Sequence, residues 1–155
     1  MEDSVITDEM HRQIGMLSEP WIVEVERGAI ARYAEAIGDM NLIYRDEGYA
    51  KKSSYGGIVA PPIFLGLPVS EPQSVRLESP FHRNVTGGTE IVYERPIYAG
   101  ERLIVTSKLV DLYEKHGRPG IGRMLFQIIE TKYRDLNGKV VAVLRTTDIT
   151  YEGSP

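Results

Sequence analysis

The sequence predicts a single α+β domain in which one antiparallel β-sheet wraps around a helix. An amphipathic helix pattern lies in the first third of the chain, and four long strand patterns fill the second half. No further long helix pattern is available to cover the other face of the sheet, so one sheet around one helix is the economical arrangement. The 155 residues, 42% of them hydrophobic, suffice for one core and are too few for two comfortable domains.

The first part of the chain predicts an entry segment followed by a short strand. We assign residues 1–155 to one domain and expect residues 1–19 to be loosely held, with one helical turn near Asp8. The residues after this segment, Trp21 to Glu26, alternate apolar and polar side chains. A strand with one buried face has this alternation.

The clearest helix pattern comes next. Ile30, Tyr33, Ala34 and Ile37 recur at positions i, i+3, i+4 and i+7, which gives one apolar stripe. Gly38 then supplies a residue that readily takes the left-handed conformation in which helices commonly end. The residues after Gly38 should therefore begin a loop.

Two shorter helices should follow. Residues 46–52 can form one, with Asp46 near its N-terminus, where a carboxylate is favoured by the unpaired amides. Pro61 and Pro62 can start another, because the first turn of a helix needs no amide hydrogen. Two later prolines should end this second helix early, so we expect it to be short and buried.

The second half of the chain predicts an antiparallel sheet. Its strand patterns are Thr89 to Arg95, Arg102 to Glu114, Arg123 to Arg134 and Lys139 to Tyr151. Asn137-Gly138, between the last two, predicts a two-residue type I′ hairpin turn, which requires positive φ at both positions. Gly87-Gly88 should be a turn or a bulge. The uncovered surface of such a sheet suggests pairing with another subunit.

Composition argues against several classes of function. The net charge is −4, from 18 Lys and Arg against 22 Asp and Glu, so nucleic-acid binding has little support. There is no cysteine, and we expect neither a metal nor a cofactor. The N-terminal residues are acidic and polar, and no apolar run approaches the roughly 20 residues that span a bilayer. We therefore expect a cytoplasmic protein without membrane insertion.

One segment resembles a known catalytic motif. The segment YAEAIGDMNLIYRDEGYA, from Tyr33 to Ala50, resembles the hydratase motif of the MaoC-like (R)-specific enoyl-thioester hydratases and dehydratases. In that motif Asp, any residue, Asn, Pro, an aliphatic residue and His follow one another. Asp39 and Asn41 match the motif. Leu42 stands in place of Pro, and Tyr44 stands in place of His.

The resemblance extends over nearly the whole chain. Three further blocks resemble this family: GGIVAPPIF at 56–64, the strand pair at 81–103 and the closing hairpin at 122–151. The chain is most similar to the N-terminal, dehydratase-like half of double-hotdog proteins and to related free-standing subunits. The resemblance implies a single hotdog fold, in which a curved sheet wraps a central helix. It also implies a companion hotdog subunit that carries the catalytic Asp and His.

The resemblance also implies the site. Adding water to an unsaturated thioester needs a base, an acid and donors for the thioester oxygen. Tyr44 is a poor substitute for His, because a phenol has a pKa near 10 and an imidazole near 6.5. Pro61 and Pro62, if they occupy the family's His-Gly position, lack the amide hydrogen that binds the oxygen. The candidate catalytic residues are Asp39, Asn41 and Tyr44, and the candidate substrate-binding residues are Tyr55, Gly57, Pro62 and Phe64.

Alternatives remain for several of these residues. Asp39 and Asn41 can instead form a helix-terminating Asx turn, Tyr44 can be a packed or tunnel-lining aromatic, and His82 and His116 are best explained as solvated loop residues.

The leading hypothesis is a subunit that holds the acyl chain of a coenzyme A or acyl-carrier thioester for a catalytic partner. The other two are a self-sufficient homodimeric hydratase that uses Asp39, and a non-enzymatic acyl-thioester binding protein.

Overall fold

The computed structural model describes residues 4–66 and 75–153. Its helices and strands are, in chain order, α1 (Asp8–Gln13), β1 (Trp21–Glu24), α2 (Arg27–Ala36), α3 (Glu47–Lys52), β2 (Arg83–Tyr93), β3 (Arg102–His116), β4 (Arg123–Arg134) and β5 (Val140–Tyr151). Short 3-10 helices lie at Leu42–Tyr44 and Phe64–Gly66. The strands form one antiparallel sheet in the order β1-β3-β4-β5-β2. The predicted α+β class is confirmed.

The main core lies between α2 and one face of the sheet. Ile30 and Ala34 of α2 are fully buried, and they share this core with Leu103 and Val105 of β3. Ile37, the last residue of the predicted stripe, is instead 52% exposed. The reason is that α2 ends at Ala36, one residue before it.

A smaller core lies further along the sheet, under the entry segment. It consists of Phe81, Leu109, Leu112 and Leu125, and the apolar residues of the entry segment pack against it. The entry segment is also bonded to β3 through its backbone, because the Gly15 N–H donates to the Leu109 carbonyl at 2.8 Å. The entry segment, with α1 in it, thus packs on a part of the sheet separate from the main core.

The hairpin between β4 and β5 is present, but its predicted type I′ turn is wrong. That turn needs positive φ at Asn137, and within 4–66 and 75–153 only glycines have positive φ, among them Gly138 at 83°. Asp135 explains the difference, since its carboxylate accepts the N–H groups of Asn137 and Lys139 at 2.9 and 3.0 Å. The result is a wider turn with a left-handed glycine near its end.

Strand β2 begins at Arg83, six residues before the predicted start at Thr89. The glycine pair suggested an interruption, and the structure places it inside the strand as a bulge, where the register with β5 shifts between Thr86 and Gly88. A Cβ on Gly87 would lie 2.6 Å from the Cδ1 atom of Ile149, so a larger residue here would have to displace the Ile149 side chain.

The predicted helix after Pro61-Pro62 is represented by the 3-10 turn Phe64–Gly66. Residues 67–74, over which a longer helix would continue, lie outside the described residues. Over 4–66 and 75–153, no helix is both long and apolar enough to cross a membrane.

Candidate functional site

A pocket of about 330 Å³ lies beside the loop that follows α2. Its polar lining comes from the tyrosines Tyr44, Tyr55 and Tyr93 and from Arg95, and the rest is mainly aliphatic side chains and prolines. A largely apolar concave site with a few polar groups is typical of small-molecule binding sites.

Three parts of the chain build this pocket. One is the 3-10 helix Leu42–Tyr44, the second is the stretch 55–62 and the third is the stretch 93–97, which begins at the end of β2. The second and third are bonded together, because the Ala60 N–H donates to the Ile97 carbonyl at 2.8 Å. These two walls are more than thirty residues apart in sequence, so no local pattern predicts their meeting.

Asp39 and Asn41 use their side chains to shape the loop. The Asp39 carboxylate accepts the Asn41 N–H at 3.0 Å, and the Asn41 side-chain oxygen accepts the Ile43 N–H at 3.1 Å. Arg45 adds a bond to the Asp39 carbonyl at 3.1 Å. Neither Asp39 nor Asn41 belongs to the described lining of the pocket. Their geometry is that of Asx turns, and a catalytic role for them stays a prediction.

Tyr44 points into the pocket from this loop and is 8% exposed. Burial raises the pKa of Tyr44, and the neighbouring Asp39 and Tyr55 raise it further. The phenol is therefore neutral and protonated at physiological pH. It can donate a hydrogen bond, but it cannot exchange protons near pH 7 as an imidazole does.

Two phenols bind residues 61–65, the proline segment, to the sheet through hydrogen bonds. The Tyr93 hydroxyl donates to the Pro62 carbonyl, and the Tyr133 hydroxyl donates to the Leu65 carbonyl at 2.9 Å. Burial raises the pKa of Tyr93 to about 12, so this donor keeps its proton across the physiological range. The position of Pro62 is thus set by β2.

Arg95 is the charged side chain of the pocket wall. Its guanidinium forms a two-point pair with Glu101, at 2.8 and 2.9 Å, and donates to the Pro96 carbonyl at 2.8 Å. The hydrogen bonds to Glu101 raise the pKa of Arg95. Because Glu101 balances its charge, Arg95 serves mainly to hold the wall.

The histidines of the chain lie away from the pocket. His82 precedes β2 and His116 ends β3, at the end of the sheet opposite Tyr93. An extended strand of the length of β2 spans about 33 Å. His11 lies on α1, over the smaller core, and no described hydrogen bond joins any of the three histidines to Asp39. Within the described ranges no group of His, Asp and Glu could hold a metal.

The backbone offers few donors near the prolines. Pro61 and Pro62 have no amide hydrogen. Two nearby amides are engaged, since the Ala60 N–H donates to the Ile97 carbonyl at 2.8 Å and the Phe64 N–H donates to the Pro61 carbonyl at 3.0 Å. The expected oxyanion donor is therefore not supplied by this proline pair.

The structure brings three of the predicted residues, Tyr44, Tyr55 and Pro62, to the pocket. Phe64 is buried instead, with its ring edge-on to Tyr33 at 6.0 Å between centroids, and Gly57 lies beside Tyr98. Sequence reasoning missed the part of the wall after β2. The only local signal was the alternation of aromatic, charged and apolar residues in YERPI, which strands also show when they have no site.

A family model and several relatives match this chain. The family described as FAS1-like, dehydratase domain region, matches residues 12–144. A UPF0336 protein of Streptomyces avermitilis is 39% identical over an alignment of 94 residues, and the match covers 56% of this chain and 61% of that relative. The matched region thus spans less than two thirds of that relative's length.

Solved structures show the same fold. The ChsH1-ChsH2 complex from Mycobacterium tuberculosis aligns with a TM-score of 0.73 and 22% identity, over 90% of this chain and 86% of the other. A MaoC-like dehydratase from Rhodospirillum rubrum aligns with a TM-score of 0.66 and 20% identity, over 92% and 94%. These likenesses show the hotdog fold. Since the family match covers most of the chain, this protein belongs to the FAS1-like dehydratase-domain family, and its fold is that of the MaoC-like hotdog proteins.

Proposed function

We propose that this chain is the acyl-binding subunit of an enoyl-thioester hydratase or 3-hydroxyacyl-thioester dehydratase, and that a partner hotdog subunit supplies the catalytic Asp and His. The substrate is an acyl thioester of coenzyme A or of acyl carrier protein, and no further cofactor is needed. The observation that carries this proposal is an apolar pocket beside the hydratase motif with no histidine of the chain within reach.

The lining of the pocket suits an acyl chain. Ile43, Val59 and Ile97 give it apolar walls, while Arg95 is neutralised by Glu101. Each methylene that leaves water for such a site contributes about 0.8 kcal/mol. Saturated and unsaturated acyl groups are therefore the ligands that gain most from this pocket.

The catalytic groups of the motif are weakened. Without an imidazole, general acid–base help worth about 10² to 10⁴ in rate is lost, and without the oxyanion donor about 10² to 10³. The two losses are not additive within one site, but together they leave little turnover. This supports binding without independent catalysis.

A partner subunit is supported by the fold and by a relative. The solved ChsH1-ChsH2 structure is, by its name, a complex of two proteins. In the present chain, β2 is an edge strand whose residues are mostly exposed. Edge strands with free backbone groups are natural sites for association.

The test combines binding and turnover. We would titrate the pure chain with saturated acyl-CoAs by calorimetry, and follow the loss of conjugated thioester absorbance with crotonyl-CoA and longer trans-2-enoyl-CoAs. The expected result is binding without turnover, in both the wild type and Asp39→Asn. Robust turnover that Asp39→Asn abolishes would overturn the proposal, as would the absence of acyl-CoA binding.

One observation favours a second candidate, the self-sufficient homodimeric hydratase. Asp39 is only half-buried and lies close enough to Tyr44 to raise the pKa of that phenol. In this alternative Asp39 is the base and a second copy completes the site. The turnover arm of the same experiment separates the two functions.

The third hypothesis, an acyl-thioester binding protein without a hydro-lyase partner, would be contradicted by co-purification with a hotdog protein that has the intact Asp and His.

A further inference from the structure

Tyr93 occupies a special position in the pocket wall. It is the last residue of β2, and it lines the pocket as part of the stretch 93–97. Its hydroxyl donates to the carbonyl of Pro62, which belongs to the stretch 55–62 on another side of the pocket. The side chain therefore links the two walls. It cannot turn aside without breaking this hydrogen bond.

The space on the core side of the Tyr93 ring is already filled. Tyr93 packs against the main core and faces Ala142, its fully buried partner on β5. Phe64 is 5% exposed and in edge-to-face contact with Tyr33, and both residues belong to this core. Nothing in this arrangement lets the ring retreat toward the core to make room for a longer ligand.

The other two tyrosines of the pocket are placed differently. Tyr55 is 42% exposed, so it lies on the solvent side of the pocket. Tyr44 is buried in the loop after α2, and its hydroxyl makes no described hydrogen bond to the proline segment. Tyr93 alone among these three ties β2 to the proline segment.

We propose that Tyr93 is a specificity-determining residue that limits the length of the acyl chain which the pocket accepts. This inference rests on the proposed function and deepens it, because it assigns the chain-length limit to one side chain. Affinity rises with each added methylene until the chain reaches the ring, and further methylenes remain in water.

The expected signature is a break in the dependence of affinity on chain length. Below the break, each added methylene lowers Kd about fourfold, as the transfer of one methylene out of water predicts. Above it, Kd stays level or rises. Tyr93→Ala removes the ring and moves the break to longer chains, whereas Tyr93→Phe keeps the ring and leaves the break in place.

The experiment measures Kd by calorimetry for the full chain with a series of saturated acyl-CoAs from butyryl to palmitoyl. The matched control is Tyr98→Ala, which removes a ring that packs on the same core but does not line the pocket. Circular dichroism and thermal unfolding establish that each variant is folded. If Tyr93→Ala is unfolded, Tyr93→Leu, which is also shorter than tyrosine and better fills the core, takes its place.

The outcomes separate this inference from the function on which it rests. A break that moves in Tyr93→Ala or Tyr93→Leu, but not in Tyr93→Phe or Tyr98→Ala, supports the assignment. A wild-type break that stays unchanged in the shortened variants overturns it and leaves acyl binding standing. Failure of the wild type to bind any acyl-CoA of the series removes the proposed function and this inference with it.

Discussion

The carboxylate of Asp39 and the side-chain amide of Asn41 each accept a backbone N–H two residues further along the chain. These bonds shape the chain between Asp39 and Tyr44, which lies five residues further on. The loop therefore depends on acceptor oxygens, which a carboxylate supplies at Asp39 and a neutral amide supplies at Asn41.

Substitutions of Asp39 should therefore differ in their free energy of unfolding, according to whether the new side chain keeps an acceptor oxygen. Asp39→Asn keeps an acceptor, and we expect it to change the free energy of unfolding by less than about 0.5 kcal/mol. Asp39→Ala removes the acceptor and should cost about 1 kcal/mol. Urea unfolding of both variants measures the difference. Equal losses in the two variants would show that the charge, and not the hydrogen bond, supports the loop.

Glu130 is a second residue whose role depends on its environment. Its side chain is 7% exposed and bonds to Arg145 at 2.8 and 3.0 Å, with the amines of Lys108 and Lys132 at 3.8 and 3.6 Å. The hydrogen bond from Arg145, with the charges of the two lysines and Arg145, lowers the pKa of Glu130. The partners are more exposed, which reduces the strength of the pairs.

Because the folded state lowers the pKa of Glu130 below its ordinary value of 4.5, the stabilisation is present above about pH 4.5 and is lost as the pH falls through the folded-state pKa. Glu130→Gln should cost about 1 to 2 kcal/mol at neutral pH. The gap between wild type and variant should close on acidification. Thermal unfolding from pH 7 to pH 3 provides the test, and a gap independent of pH would contradict it.

At the scale of helices and strands, short sequence patterns predicted the elements whose bounds depend on neighbouring residues. The stripe of α2, the Asp46 cap of α3, and the bounds of β4 follow from spacing and from capping oxygens. The turn after β4 was mispredicted, because Asp135 lies outside the two-residue window but holds the whole turn. A side chain adjacent to a turn can thus decide its type.

The turn also requires a left-handed backbone conformation at Gly138. Its φ is 83°, and a Cβ there would meet no atom within 4 Å. Gly138→Ala should therefore cost about 1 kcal/mol, from backbone strain alone. Gly48→Ala in α3 is the matched control, since Gly48 has no such φ and alanine favours a helix. Chemical unfolding should show opposite signs for the two substitutions, and a loss of stability in both would count against this explanation.

At the scale of the whole molecule, the order of the strands leaves β1, with 4 residues, and β2, with 11, at the edges of the sheet. Val85 and Val92 of β2 are 48% and 52% exposed. Proteins commonly protect such an edge with charge, proline or a covering element. The few charges along β2 make association through this strand the natural expectation.

We expect the pure chain to self-associate, or to associate with its partner when the two are co-expressed. Val85→Lys should weaken the association at least tenfold without lowering monomer stability, because it places a charge beside the exposed edge. Leu136→Lys adds the same charge at a turn residue that is 62% exposed. Light scattering over a range of concentrations measures both variants. Unchanged association in Val85→Lys would place the interface elsewhere.

The part of the pocket wall that sequence patterns did not predict is formed by the tertiary fold of the whole molecule. Tyr44 and Tyr55 belong to segments that the motif and its neighbours mark, so sequence pointed to them. Tyr93 and Arg95 reach the pocket only because β2 pairs with β5, a contact between residues about fifty positions apart. No pattern within a short window contains that information.

The bonds within the loop of Asp39 and Asn41 have a consequence for recognising enzymes from sequence. Because the oxygens of both side chains hold the turn, folding alone is a reason to keep these two residues, with or without catalysis. The Asp and Asn of the motif therefore indicate a formed loop. The residue at position 44 is the one that indicates whether the loop carries an imidazole.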